Sequence, residues 1–181
     1  ITNEIKNYIK TLSQTGEHDI VITEVGGTVG DIESLPFIEA IRQLKWELEG
    51  DAISIHLTLV PFLAAAAELK TKPTQNSVKK LRELGLQPDI LVCRTEHKLN
   101  NDIRKKIALF CNVETNAVIE SIDANSIYDV PLLMQKESLD KVVMNKLKLN
   151  DKKKVDLKSW NIFLNQLKNP TKEIKIGIIG K

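Results

Sequence analysis

The 181 residues hold only two cysteines and three histidines. Cys93 and Cys111 lie in or beside apolar runs, so they read as buried, reduced thiols of a cytosolic protein; a disulfide framework is not indicated. His18, His56 and His97 share no metal-ligand spacing, which argues against a histidine-built metal centre. Long hydrophobic runs are missing too. The longest, residues 57–67, is interrupted by Thr58 and Pro61 and is too short to cross a bilayer, and no signal-peptide pattern is visible. Lys and Arg number 26 against 24 Asp and Glu, a net charge of +2. A balance so close argues against a nucleic-acid module. Repeats and low-complexity tracts are absent, and nothing matches the phosphate-loop pattern G-x-x-x-x-G-K-[ST]. The expectations are a cytoplasmic location and no nucleic-acid or membrane partner.

Two segments carry chemistry. The first is residues 24–33, with carboxylates at Glu24, Asp31 and Glu33 and glycines at Gly26, Gly27 and Gly30. It follows the apolar run 20–22 and precedes a helix-like stretch opened by Ser34 and Pro36. A strand ending in an acid, then a glycine loop, then a helix start, is where open α/β sheets bind ligands. Gly26 and Gly27 are expected to need conformations or clearances that a side chain would forbid. A tight turn with solvated acids is the plainer reading; the carboxylate placement favours a nucleotide or metal site. The second segment is Lys70, Thr71, Lys72, Pro73, Thr74 and Gln75. Pro73 biases Lys72 toward extended backbone, so Lys70 and Lys72 should share a face ahead of a helix over 74–84. Lysines at a helix N-terminus oppose its dipole, a conflict that a bound anion would relieve. Spacing alone serves a solvated basic turn equally well.

Strand and helix patterns alternate, as in parallel β units flanked by helices. Strands are expected at 20–24, 53–60, 90–94, 117–122 and 174–179, and helices at 34–49, 74–84, 101–110, 126–135, 138–147 and 155–167. Ile1, Ile5, Tyr8, Ile9 and Leu12 form a further helical stripe at the start. Phe37, Ile38, Ile41, Leu44 and Leu48 repeat at helical spacing and should pack on the sheet. The pattern lapses at 149–154, and the run Lys152, Lys153, Lys154 reads as a solvated linker.

Six stretches, 24–37, 56–61, 70–75, 87–94, 106–113 and 126–128, resemble the CTP synthase family in order and spacing. The resemblance covers essentially the whole chain. It implies a P-loop-type parallel sheet flanked by helices, a dethiobiotin-synthetase-like amidoligase domain incomplete at its N-terminus. Residues 1–148 would be the C-terminal part of that domain, 149–170 a linker with a helix, and 171–181 the first strand of a class I glutaminase domain. The implied reaction is ATP-dependent amination of UTP to CTP, through a 4-phosphorylated UTP, with ammonia from glutamine.

Roles follow by resemblance. Glu24 would be a magnesium ligand. Asp31, Ile32, Glu33, the run Lys70, Thr71, Lys72, Pro73, Thr74 and Gln75, and Lys106 would contact UTP or the inhibitor CTP. Ile122, Asp123 and Ala124 would lie against ATP, and Gly26, Gly27 and Gly30 would shape the loop. The family implies Mg2+, GTP as activator, a homotetramer, and a pyrimidine site between subunits. Ala67 stands where the family usually has glycine, which would strain a positive φ. Asn76 stands where many bacterial members have histidine. The segment alone is expected to be inactive, because the phosphate-loop lysine lies upstream in the family. The rival expectation is a non-catalytic nucleotide-binding or oligomerisation module of the same fold.

Overall fold

The computed structural model describes residues 1–149 and 155–180. The Lys152–Lys154 run and Lys181 lie outside the described residues. Three parallel strands form the centre: β1 (Ile55–Leu59), β4 (Ile90–Thr95) and β5 (Val118–Ile122), in the order β1-β4-β5. Between β1 and β4 come a two-stranded antiparallel hairpin, β2 (Phe62–Leu63) with β3 (Glu68–Leu69), and helix α3 (Lys72–Glu83). α4 (Asn101–Cys111) joins β4 to β5, and α5 (Val130–Lys136) and α6 (Leu139–Lys146) follow. α1 (Thr2–Thr11) and α2 (Leu35–Glu47) precede the sheet, and α7 (Lys158–Lys168) comes last.

β4 is the buried central strand, and its run of apolar residues suits a parallel strand covered on both faces. The two-residue period splits it. Leu91 and Cys93 join Val78, Ile107, Ala108 and Cys111 beneath α3 and α4. Ile90 and Val92 join Ala117, Ile119 and Val142 beneath α5 and α6. Cover on that second face stops short of β1, where Ile55, Leu57 and Leu59 are exposed. α4 starts where the Asn100 side chain accepts the Ile103 N–H at 2.9 Å, and it ends at Asn112 in the left-handed region.

Arg104 on α4 ties these layers together. Its guanidinium donates to the Val118 carbonyl at 2.9 Å, to Glu137 at 2.7 Å and to Glu120 at 3.3 Å. Glu120 also accepts the Leu99 N–H at 2.6 Å, and Glu137 accepts the Glu120 N–H at 3.1 Å. Every charged group here is thus paired and hydrogen-bonded, the condition under which buried ions are tolerated.

Several expectations are corrected. Residues 20–24 are not a strand, and Ile22 is 91% exposed. A strand needs a neighbour to take its backbone hydrogen bonds, and none of the described residues supplies one. Residues 174–179 are likewise irregular, with Ile174, Ile176, Ile178 and Ile179 exposed. The N-terminal stripe is turned half outward: Tyr8 and Leu12 are exposed, while Lys6 and Lys10 reach Glu47 on α2. On α2, Ile38 packs with Leu81 and Leu86 at the far end of α3 instead of on the sheet, and Phe37 stays exposed. Ala67 does occupy the left-handed region, at φ 49°, closing the β2–β3 hairpin.

Arg104→Met would leave two carboxylates facing each other without a cation. It should cost about 3–5 kcal/mol, read as a lower denaturation midpoint; an unchanged midpoint would show that the network holds nothing together. Burial pushes the Glu137 carboxyl up, but the hydrogen bonds from Arg104 and the Glu120 N–H outweigh it and hold the folded value low. A depressed folded value stabilises at neutral pH, and this contribution is lost as pH falls below the ordinary glutamate range. The acid-side decline should therefore be shallower in Arg104→Met.

Candidate functional site

The carboxyl ends of the three strands share one edge of the sheet, the edge where parallel α/β sheets take ligands. After β1, the hairpin delivers Lys70, whose N–H donates to the Pro61 carbonyl at 2.9 Å. The Phe62 ring packs on His97, beyond β4, with centroids 4.0 Å apart. After β5, Asp123 donates its N–H to Thr95 at 2.9 Å and accepts the Arg94 guanidinium at 3.0 Å. Ile122 is the last residue of β5, and Ala124 follows half-buried.

α3 begins at Lys72, one turn-corner earlier than its Pro73 suggests. Pro73 sits at the start of the helix, where its missing N–H is harmless, and Thr71 before Lys72 is already helical. Lys72 is therefore not extended, and it does not share a strand face with Lys70. Lys70 instead pairs with Glu68, whose carboxyl is held low by that hydrogen bond and, more weakly, by the charge of Lys106. Glu68 thus stands among Lys70 and Lys106. Thr71 and Thr74 turn inward. Thr74 is fully buried and donates to the Leu59 carbonyl at 2.9 Å, and Thr71 accepts from Gln75 at 3.0 Å. The Thr74 side chain ties the helix to β1, the Thr71 hydroxyl is bonded within the helix, and both are buried.

Lys72, Gln75, Asn76, Lys79 and Arg82 line one face of α3 and border a surface hollow of about 550 Å³, closed on its other side by Phe110 of α4. Phe110 is 56% exposed, an aromatic face left uncovered among cations. Lys106 precedes it by four residues on the same helix and so shares its side. Sequence reading missed Phe110 and Arg94, because nothing local marks an apolar or basic residue as left at a ligand edge.

The acidic loop lies elsewhere. Gly30, at φ 106°, is covered by the Lys80 stem, with the Lys80 Cγ 3.2 Å from where a Cβ would stand. Lys80 is eight residues beyond Lys72, about 12 Å along the helix. Asp31, Ile32 and Glu33 are exposed next to Gly30, with their turn closed by the buried Ser34 hydroxyl on the Asp31 carbonyl at 2.8 Å. The acidic triplet thus meets α3 near Lys80, while Lys72 stands at the first turn of that helix. Gly27 has φ 89° and needs glycine; Gly26 has neither positive φ nor a neighbour within 4 Å. Glu24 is exposed on the irregular stretch before them. Among the described residues, no three His, Cys, Asp or Glu side chains gather as a metal cage. A single exposed carboxylate still fits Mg2+, which relies on one or two protein carboxylates plus water and phosphate.

A family model described as CTP synthase N-terminus matches residues 1–149. The CTP synthases of Cytophaga hutchinsonii and Christiangramia forsetii are 64% and 65% identical over the entire chain, and that of Bacteroides fragilis 59%. The chain belongs to the CTP synthase family. It spans about a third of the length of these curated relatives, 34% of the Cytophaga protein. Among the described residues no helix is long and apolar enough to cross a membrane.

Both cysteines are free and buried. Burial pushes both thiols up to about 11. At pH 8 neither should react with a maleimide in the native protein, and both should react after denaturation. Rapid labelling of either in the folded state would show an open path to it.

Proposed function

We propose that these residues form the nucleotide-handling part of a CTP synthase amidoligase domain. The complete cytoplasmic enzyme would convert UTP to CTP with ATP and with ammonia drawn from glutamine. The observation that carries this reading is the hollow in which Lys72, Lys79 and Arg82 of α3 border one bare aromatic, Phe110 of α4, with Lys106 one turn before Phe110 on the same helix. Phosphoryl transfer asks mainly for positioning and charge neutralisation, so the lysines would take the triphosphate and Phe110 would flank the pyrimidine. Asp123, held by Arg94 and by Thr95, would meet adenine at the neighbouring strand end. Glu24 would hold Mg2+, which supplies further charge neutralisation on phosphate oxygens.

The separation of Asp31 and Glu33 from Lys72 along α3 supports a pyrimidine site shared between copies. The acidic loop of one copy would complete the lysine corner of another in a homotetramer. CTP as inhibitor would use the same groups as UTP, and GTP activation would belong to parts of the protein beyond these residues.

Kinetics on the full-length protein test this. Losing a charge-assisted phosphate contact costs about 1.5–3 kcal/mol, or roughly ten- to a hundred-fold in affinity. Lys72→Ala and Phe110→Ala should raise KM for UTP on that scale and leave KM for ATP near normal; Asp123→Ala should do the reverse. Equal effects on both nucleotides would refute the assignment. Glu33→Ala and Lys72→Ala variants, each impaired at low UTP, should regain activity when co-assembled if the site spans copies. No recovery would place both groups in one chain. The 181 residues alone should make no CTP from UTP, ATP and ammonium; turnover by them would overturn the reading of this segment as part of a larger catalytic domain.

A further inference from the structure

α7 is remote in sequence from the carboxyl edge yet is docked beside it. The Trp160 indole N–H donates to the Tyr128 carbonyl at 3.0 Å, across 32 residues. The Tyr128 ring meets Phe163 nearly edge-on, with centroids 5.3 Å apart at 80°, and Phe163 meets Trp160 at 5.4 Å. Lys168 donates to Asp129 at 2.6 Å, and Leu164 of the same helix is buried, at 4% exposure. These contacts grip one short turn, Ile127–Asp129. That turn is bound internally, with Asp129 donating its N–H to the Ser126 carbonyl at 3.0 Å. Only Asn125 and Ser126 separate it from residues 122–124.

The stretch from Ile122 to Asp129 is thus held at two ends. β4 holds Asp123 through Thr95 and Arg94, and α7 holds Tyr128 and Asp129. On its far side α7 leads into residues 169–180, whose isoleucines are exposed and packed on nothing described.

We propose that α7 is a latch on this stretch and that Trp160 is a positioning residue: when α7 is docked, residues 122–124 are held in the arrangement that accepts ATP. The inference rests on the reading of residues 122–124 as the border of the ATP site. The coupling is carried by one hydrogen bond, one ion pair and an aromatic trio, and its size follows from them. Loss of the indole and its N–H should raise KM for ATP by about three- to tenfold, the scale of a neutral hydrogen bond plus an aromatic pair.

The test uses the full-length protein, with Trp160→Ala, Lys168→Gln and Asp123→Ala compared by steady-state kinetics and by amide hydrogen exchange. Trp160→Ala should speed exchange at residues 122–129 and raise KM for ATP, with KM for UTP and exchange in β4 unchanged. Lys168→Gln, an exposed contact whose loss leaves the core intact, should move the same two readouts less far. This variant decides the matter if Trp160→Ala fails to fold. If exchange at 122–129 stays slow in both variants, α7 does not hold the stretch and the proposal falls. If exchange quickens with KM for ATP unmoved, the latch is structural only and the proposal also falls. Asp123→Ala separates the underlying reading: if it leaves KM for ATP unchanged, the ATP border is elsewhere, whatever α7 does.

Discussion

The fold depends on the pairing of Arg104 with Glu120 and Glu137. A parallel strand cannot turn back on its neighbour; each crossing needs a helix, and the helices must be anchored on opposite faces. β5 is an edge strand, and its place is set by what grips its backbone. Arg104, from the helix layer on one face, reaches the Val118 carbonyl, while Glu137, from the junction of α5 and α6 on the other, accepts the Glu120 N–H. The guanidinium and the carboxylate then meet each other. Both helical layers are thereby locked to one strand, and the residues at its carboxyl end inherit that fixity.

The candidate site inherits a division of labour from the same logic. Side chains that hold the scaffold point inward and are spent on it: Thr74 on the Leu59 carbonyl, Ser34 on the Asp31 turn, Thr95 on the loop beyond β4. Side chains left facing water include the cations along α3 and Phe110 at the end of α4. Motif reading treats such a run as one object. In three dimensions, Lys70, Thr71, Lys72, Pro73, Thr74 and Gln75 divide into structural and solvent-facing members.

What the sequence discloses and what it hides have physical reasons. β4 was legible because a run such as Ile90, Leu91, Val92, Cys93 has few homes other than a strand buried on both faces. α4, expected over 101–110, forms over Asn101–Cys111, with Asn100 capping its start. The start of α3 was misjudged: the rule for residues before proline is a bias, and a helix that begins one residue ahead of its proline satisfies the ring without loss. Residues 20–24 have strand composition, but composition does not supply a hydrogen-bonding neighbour. A helix over 155–167 was visible; its partner Tyr128 was not, since contacts across 32 residues leave no periodic trace. The distance of the acidic loop from the lysine corner was equally invisible, because it is set by which end of α3 each segment meets.

The burial of both cysteines has a practical corollary. A chain whose native thiols are masked is a blank background for site-directed spectroscopy. One cysteine introduced at exposed Gln166 on α7 and another at exposed Asn125 would be the only reactive pair, and spin labels on them would report the span between the helix and the loop directly. Thiols hidden in the core thus leave the molecule open to being measured in motion.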